Sequence, residues 1–310
     1  MNTRDSTTID LTIAAVERDT GIGKDTLRVW ERRYGFPAPA RDANGERIYP
    51  MVQVEKLRVI KRLMDQGHRP GRIVAQSIEA LQHLSRGEAS LQSSHAPHRS
   101  EVDGPLTACI AMLQMQDDEG LRSHLLKILA QEGLQKFVTD WVAPLTSMVG
   151  DAWARGDLAV HEEHLYTECV SNIMRQAIAS IPKGATLTGP SVLLTTFPQE
   201  AHGLGLLMVE SLLSLQGCRC VSLGTQTPLR DIAQAAIAHE SDVVALSFSV
   251  NMNPNQIVDG LMELKLLMPE HIEIWVGGQA PALRRRAMDH VIVIQDLASI
   301  QAAVSAWSKR

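Results

Sequence analysis

The chain carries only four cysteines in 310 residues, and none stands at a zinc or redox spacing. Cys109 and Cys169 fall in apolar helical patterns, where a thiol is simply a small hydrophobe. Cys218 and Cys220 flank Arg219 on an expected strand, sharing one face but forming no standard ligand pattern. The first ten residues are polar and lack the apolar core of an export signal. No apolar run approaches the ~20 residues that cross a bilayer. There is no phosphate-binding glycine loop, no nucleophile elbow and no zinc motif. These absences argue against a membrane protein and an enzyme, and for a cytoplasmic setting. What remains is ordinary for a globular chain: 45% hydrophobic and 21% charged residues. The length allows two or three domains with their own cores.

Charge is unevenly distributed. Residues 1–80 hold fourteen Lys/Arg against eleven Asp/Glu, a net +3; with −5 overall, the rest of the chain is −8. A basic head on an acidic body suits a nucleic-acid module fused to something else. Pattern divides the chain accordingly. Residues 8–80 read as short helices broken by Gly and Pro. Residues 84–103 are polar, rich in Ser, Gly and Pro, and read as a linker. Residues 104–182 read as four helices with turns near Gln116-Asp117-Asp118 and Gly156-Asp157. Residues 189–310 alternate strands and helices. The expected strands are Ser191–Thr196, Cys218–Leu223, Val243–Phe248, Ile272–Val276 and Val291–Ile294. The expected class is thus multidomain, α plus α/β. It comprises a winged helix-turn-helix head, a four-helix-bundle cap and a doubly wound, Rossmann-like parallel sheet.

In the head, Lys24–Tyr34 reads as a helix with two faces. Leu27, Trp30 and Tyr34 form an inward stripe; Lys24, Arg28 and Arg32 form an outward basic one. A recognition helix needs that division. The turn that follows carries Arg41, Arg47 and Tyr49, suited to a wing laid against phosphates. Thr26-Leu27-Arg28-x-Trp30-Glu31-Arg32, Arg47-Ile48-Tyr49 and Gly67-His68 together resemble the winged helix-turn-helix of the MerR regulators. The resemblance runs from Thr12 to Ile73 and implies binding to double-stranded promoter DNA. Lys24, Thr26, Arg28, Arg32, Arg33, Arg41, Arg47 and Tyr49 are its expected DNA-facing residues.

The C-terminal third carries Glu200-Ala201-His202-Gly203-Leu204-Gly205, then Ser247-Phe248-Ser249, then Gly277-Gly278. Each segment ends an expected strand, where open α/β sheets bind ligands. A histidine there can reach a metal with one ring nitrogen while Glu200 holds the other. Small residues leave room for a bulky ring, and Thr225 and Thr227 can line the same mouth. The set resembles the cobalamin-binding domain of methionine synthase and its relatives, Asp-x-His-x-x-Gly, Ser-x-Leu and Gly-Gly. It departs from that pattern at Glu200 and at Ser249. The resemblance implies His202 as a cobalt ligand, with the displaced cofactor tail in the crevice.

In the helical block, Trp153 with Glu163-His164 resembles the cap of the light-responsive, adenosylcobalamin-dependent MerR regulators, the CarH/LitR group. There Trp, Glu and His surround the adenosyl group. The group's members carry a histidine directly after the Trp, which becomes a second cobalt ligand after illumination; here that residue is Ala154. His124, His161 and His164 are nearby in sequence, and spacing selects none of them. The resemblance implies an adenosylcobalamin-loaded repressor that forms a homo-oligomer, dimer or tetramer, until light breaks the cobalt–carbon bond. Three other readings stand beside it: a sensor of cobalamin or another tetrapyrrole that does not use light, a corrinoid protein of methyl transfer, and a cofactor-free regulator with a vestigial pocket.

Overall fold

A computed structural model of the chain describes residues 10–42, 45–65, 68–81, 84, 103–182, 189–250, 252–285 and 290–309. The expected linker 84–103 and Gly67 lie outside these, apart from Leu84 and Asp103. The chain divides into two compact units, residues 1–97 with 154–157, and residues 98–153 with 158–310.

The first unit opens with β1 (Asp10–Thr12), α1 (Ile13–Thr20) and α2 (Lys24–Tyr34). The Thr12 hydroxyl caps α1 by accepting from the Ala15 N–H, satisfying a donor that the helix start leaves open. The Glu17 carboxylate accepts from the Lys24 N–H at 3.1 Å and so ties the turn to the start of α2. The wing is β2 (Ala40–Arg41) and β3 (Arg47–Pro50), followed by α3 (Met51–Asp65) and α4 (Pro70–Ile73). The strands form an antiparallel sheet in the order β1-β3-β2. Val16, Leu27, Trp30, Tyr49, Leu57 and Ile60 are buried together. Arg58 of α3 grips Asp19 of α1 with bonds of 2.9 and 2.8 Å.

The second unit begins with the helices α5 (Asp103–Gln114), α6 (Asp118–Lys136), α7 (Ala143–Arg155) and α8 (Val160–Ala179). Gln116 turns the chain between α5 and α6 with φ 58°, and the Asp117 carboxylate caps α6 through the Gly120 N–H. Between α6 and α7 there is no loop. Gly133 breaks the helical path (φ 77°, ψ 165°), and Phe137–Val142 continues as a π-helix. Apolar periodicity runs across this kink, so the pattern alone hides it.

Five parallel strands follow: β4 (Ser191–Thr195), β5 (Arg219–Gly224), β6 (Val243–Phe248), β7 (Glu273–Gly278) and β8 (Val291–Ile294). They lie within two residues of the expected ones. Between them run α9 (Leu204–Leu215), α10 (Leu229–Ala238), α11 (Pro254–Leu267) and the short α12 (Ala282–Arg285); α13 (Ile300–Trp307) follows β8. The order is β5-β4-β6-β7-β8. Alternation along the strands produces two cores. Val192, Leu194, Val243 and Ala245 face α9, α13 and the four-helix block, sharing one cluster with Leu125, Phe137, Tyr166 and Met174. Leu193, Val244, Leu246 and Ile274 face α10 and α11 on the other side. The cap thus takes one face of the sheet, and α8 packs along α9.

Candidate cofactor cleft and DNA-facing head

The strand order reverses at β4, whose neighbours are β5 on one side and β6 on the other. Crossovers leave in opposite directions there, so a crevice opens at the carboxyl ends of β4 and β6. His202 lies on the loop after β4, one residue before Gly203, the cap residue of α9. Its side chain is 65% exposed, whereas that of Glu200 is 2% exposed. Glu200 Oε1 meets His202 Nδ1 at 2.5 Å and accepts from the His202 N–H at 3.0 Å. Glu200 Oε2 accepts from the Ser249 N–H at 2.7 Å, beyond the end of β6. One buried carboxylate therefore bridges the switch point and orients the imidazole.

Burial pushes the Glu200 carboxyl up, but the His202 ring, the Ser249 hydroxyl and the two backbone N–H groups outweigh it and bring it down to about 2. A carboxyl depressed on folding stabilises the fold above its ordinary value and loses that contribution as pH falls through the folded one. Between pH 4.5 and about 2, Glu200→Gln should therefore flatten the loss of stability on acidification. Thermal melts of variant and wild type across that range check it; parallel curves refute it.

The rest of the loop is fixed from β5. The Thr196 hydroxyl donates to the Glu200 carbonyl at 2.6 Å and accepts from the Gln226 N–H at 2.8 Å. Thr195 Oγ1 lies 2.7 Å from Thr227 Oγ1. Both Thr195 and Thr196 are fully buried. Sequence reasoning missed them; two threonines closing an apolar strand were the available signal. Thr225 stands beside Gly203, where an added Cβ would meet its methyl at 3.2 Å. At Gly205 a Cβ would lie 2.7 Å from Ser247 Oγ, so the first turn of α9 rests on the end of β6. Gly278 has φ 114°, and a Cβ there would strike the Phe248 carbonyl. Gly277 continues the same end of β7.

His202, Glu200, Gly203, Thr225, Thr227, Ser247, Ser249, Gly277 and Gly278 thus all lie at the carboxyl ends of β4–β7 or on the loops that leave them, and Gly205 lies in the first turn of α9. A cleft of small residues and an imidazole whose Nδ1 is oriented by a buried carboxylate fit a large planar metallocofactor.

In the cap, Trp153 closes α7 and packs partly buried against the shared core. Glu163 lies in the first turn of α8, accepting from the Thr167 hydroxyl at 2.8 Å, with His164 Nε2 at 3.6 Å. His161 meets the Gln116 amide at 3.0 Å, and the same amide donates to Glu162 at 3.1 Å. Among the described residues no three His, Cys, Asp or Glu side chains are grouped to hold a metal ion. Burial raises the Cys218 and Cys220 thiols, to about 12 and about 11. No described helix is long and apolar enough to cross a membrane.

On the head, Thr26, Arg28, Arg32, Arg33 and Arg41 are exposed. Lys24 pairs with Glu17 at 3.3 Å. Arg41 donates to the Gly45 carbonyl at 2.6 Å within the wing turn. Tyr49 departs from the expectation of a DNA-facing side chain. It is fully buried and belongs to the head's core, because β3 turns it toward the helices. Arg47, two residues earlier, is bonded to Glu31 of α2.

Arg28 Nη1 lies 3.0 Å from Asp25, but the pair is 49% and 94% exposed. Such a contact is worth ~0–1 kcal/mol and does not commit the guanidinium. Arg28→Ala should weaken DNA binding by roughly 1–3 kcal/mol per head, leaving cobalamin binding intact. Fluorescence anisotropy at matched salt measures this; undiminished affinity would remove Arg28 from the interface.

The sequence matches agree with the geometry. Residues 11–75 match the MerR HTH family regulatory protein, and residues 107–178 and 190–302 each match a B12 binding domain. The class is therefore a DNA-binding regulator of MerR type with a cobalamin-binding sensor. The chain resembles the monomethylamine corrinoid protein of Methanosarcina barkeri, with a TM-score of 0.53 over 66% of this chain and 99% of that one. At 16% identity that likeness concerns the fold alone. The chain is 30% identical over 281 residues to the HTH-type transcriptional repressor CarH of Myxococcus xanthus, covering 90% of each. It is 29% identical over 275 residues to the repressor CarA of the same organism, covering 86% of each. The chain belongs to this family of MerR-type, cobalamin-dependent transcription repressors, and is a regulator, not an enzyme.

Proposed function

We propose that the cofactor is adenosylcobalamin and the signal is light. The observation that carries the site is the Glu200 bridge from His202 to Ser249 across the strand-order switch. With Nδ1 bonded to the carboxylate, cobalt coordination falls to His202 Nε2, and the Glu200 charge raises the basicity of the ring. Gly205, Ser247, Ser249, Gly277 and Gly278 would leave room for the cofactor's tail. Trp153, Glu163 and His164 would face the adenosyl group. Bound adenosylcobalamin would supply a photolabile cobalt–carbon bond.

Because α8 packs along α9, and α9 begins next to His202, filling the cleft bears on the cap as well as on the sheet. The filled sensor stabilises a homo-oligomer in the cytoplasm, dimer or tetramer, which presents several heads to one promoter. Linked heads bind with an affinity that no single head reaches. Reconstitution with adenosylcobalamin in the dark, followed by gel filtration and absorbance before and after green illumination, tests this. Dark assembly with light-dependent dissociation supports it. Cobalamin binding with no response to light leaves the light-independent sensor in its place.

A further inference from the structure

The basic residues of the head differ in what holds them. β3 alternates, so Arg47 and Tyr49 share one face and Ile48 takes the other. Tyr49 is fully buried and its hydroxyl has no partner among the described residues. The face it shares with Arg47 therefore points into the head. Arg47 Nε donates to Glu31 Oε2 at 2.9 Å and Nη2 to Oε1 at 3.5 Å. Both side chains are about a third exposed, at 29% and 30%, unlike the open Arg28–Asp25 pair. Glu31 lies in the last turn of α2, and Arg47 opens β3 opposite Arg41 of β2. The pair joins the recognition helix to the base of the wing, 16 residues apart in sequence.

We infer that Arg47 serves DNA recognition through Glu31, as the positioning residue that sets the wing against α2, and that it does not contact phosphate. A planar guanidinium holds two carboxylate oxygens at once and so fixes direction as well as distance. Lysine brings the same charge without that two-point grip. The inference rests on DNA binding by the head, which the wild-type measurement itself tests.

The experiment uses the full chain loaded with adenosylcobalamin in the dark, and a duplex selected by the wild-type protein from a random pool. Anisotropy across a salt series compares wild type with Glu31→Gln, Arg47→Gln, Arg47→Lys and the Glu31→Gln/Arg47→Gln double variant. Each single variant should bind about fivefold more weakly, the effect of a pair worth ~1 kcal/mol. The double should be no weaker than the worse single, since both changes break one link. Arg47→Lys should fail like Arg47→Gln, and none should change the salt slope. Arg28→Ala, which removes a DNA-facing cation, should lower the slope by about one. Circular dichroism before and during thermal melting confirms that each variant is folded. A slope lowered by about one in Arg47→Gln, recovery in Arg47→Lys, or additive losses would place Arg47 on phosphate and overturn the inference.

Discussion

His202→Ala is expected to weaken cobalamin binding at least about a hundredfold, since losing even an outer partner of a metal ligand costs 10–100-fold. The absorbance of whatever cofactor remains bound should match free cobalamin at the same pH. The reason is local. Only His202 in the β4–α9 loop offers a ring nitrogen to cobalt, and the Glu200 carboxylate orients that ring from a buried position. Without the ring the cleft keeps its shape, because Glu200 still accepts from the Ser249 N–H and Thr196 still holds the loop through the Glu200 carbonyl. The variant therefore tests coordination separately from folding. Glu200→Gln should fall between, binding more weakly than wild type but keeping the nitrogen-ligated spectrum. An unchanged spectrum in His202→Ala would mean that another group ligates cobalt.

Much of this site is legible in the sequence because it is built from short-range features. Glu200, His202 and Gly205 occupy six consecutive residues, and the two small-residue turns follow strands that apolar runs announce. The spacing cannot show how Glu200 spends its extra methylene. In the structure one carboxylate reaches both His202 and the Ser249 N–H, a contact across 49 residues of chain. Long-range pairings of that kind depend on strand order, which no local pattern encodes. The supporting threonines were hidden for the same reason: Thr196 earns its role from Gln226, on the neighbouring strand's loop. In the head, the helix boundaries of Lys24–Tyr34 follow from the two stripes. The roles of Arg47 and Tyr49 do not, since charge and aromaticity suggested an outward wing face while strand parity turns both side chains toward α2. The π-helical turn at Phe137–Val142 is invisible because apolar residues continue through it.

The other large expected effect concerns Ala154, the residue after Trp153 in the last turn of α7. A methyl group has no lone pair, so this position cannot supply cobalt with a second nitrogen. If light releases the adenosyl group, the illuminated protein should lack the doubly histidine-ligated spectrum expected of the resembling regulators. Its absorbance should then respond readily to added cyanide or imidazole. Ala154→His should shift the illuminated spectrum toward the doubly nitrogen-ligated form. It should also slow that exchange by at least about tenfold, because a tethered imidazole competes at millimolar or higher effective concentration. Dark binding should change little, since the substitution adds a ligand without touching His202. A wild-type photoproduct that is already doubly ligated and slow to exchange would assign the second nitrogen elsewhere in the cap. His161 is held by the Gln116 amide, whereas His164 is 71% exposed beside Glu163. His164→Ala should then abolish that product and His161→Ala should not. If neither replacement alters it, α7 and α8 do not cover the adenosyl side of the cofactor.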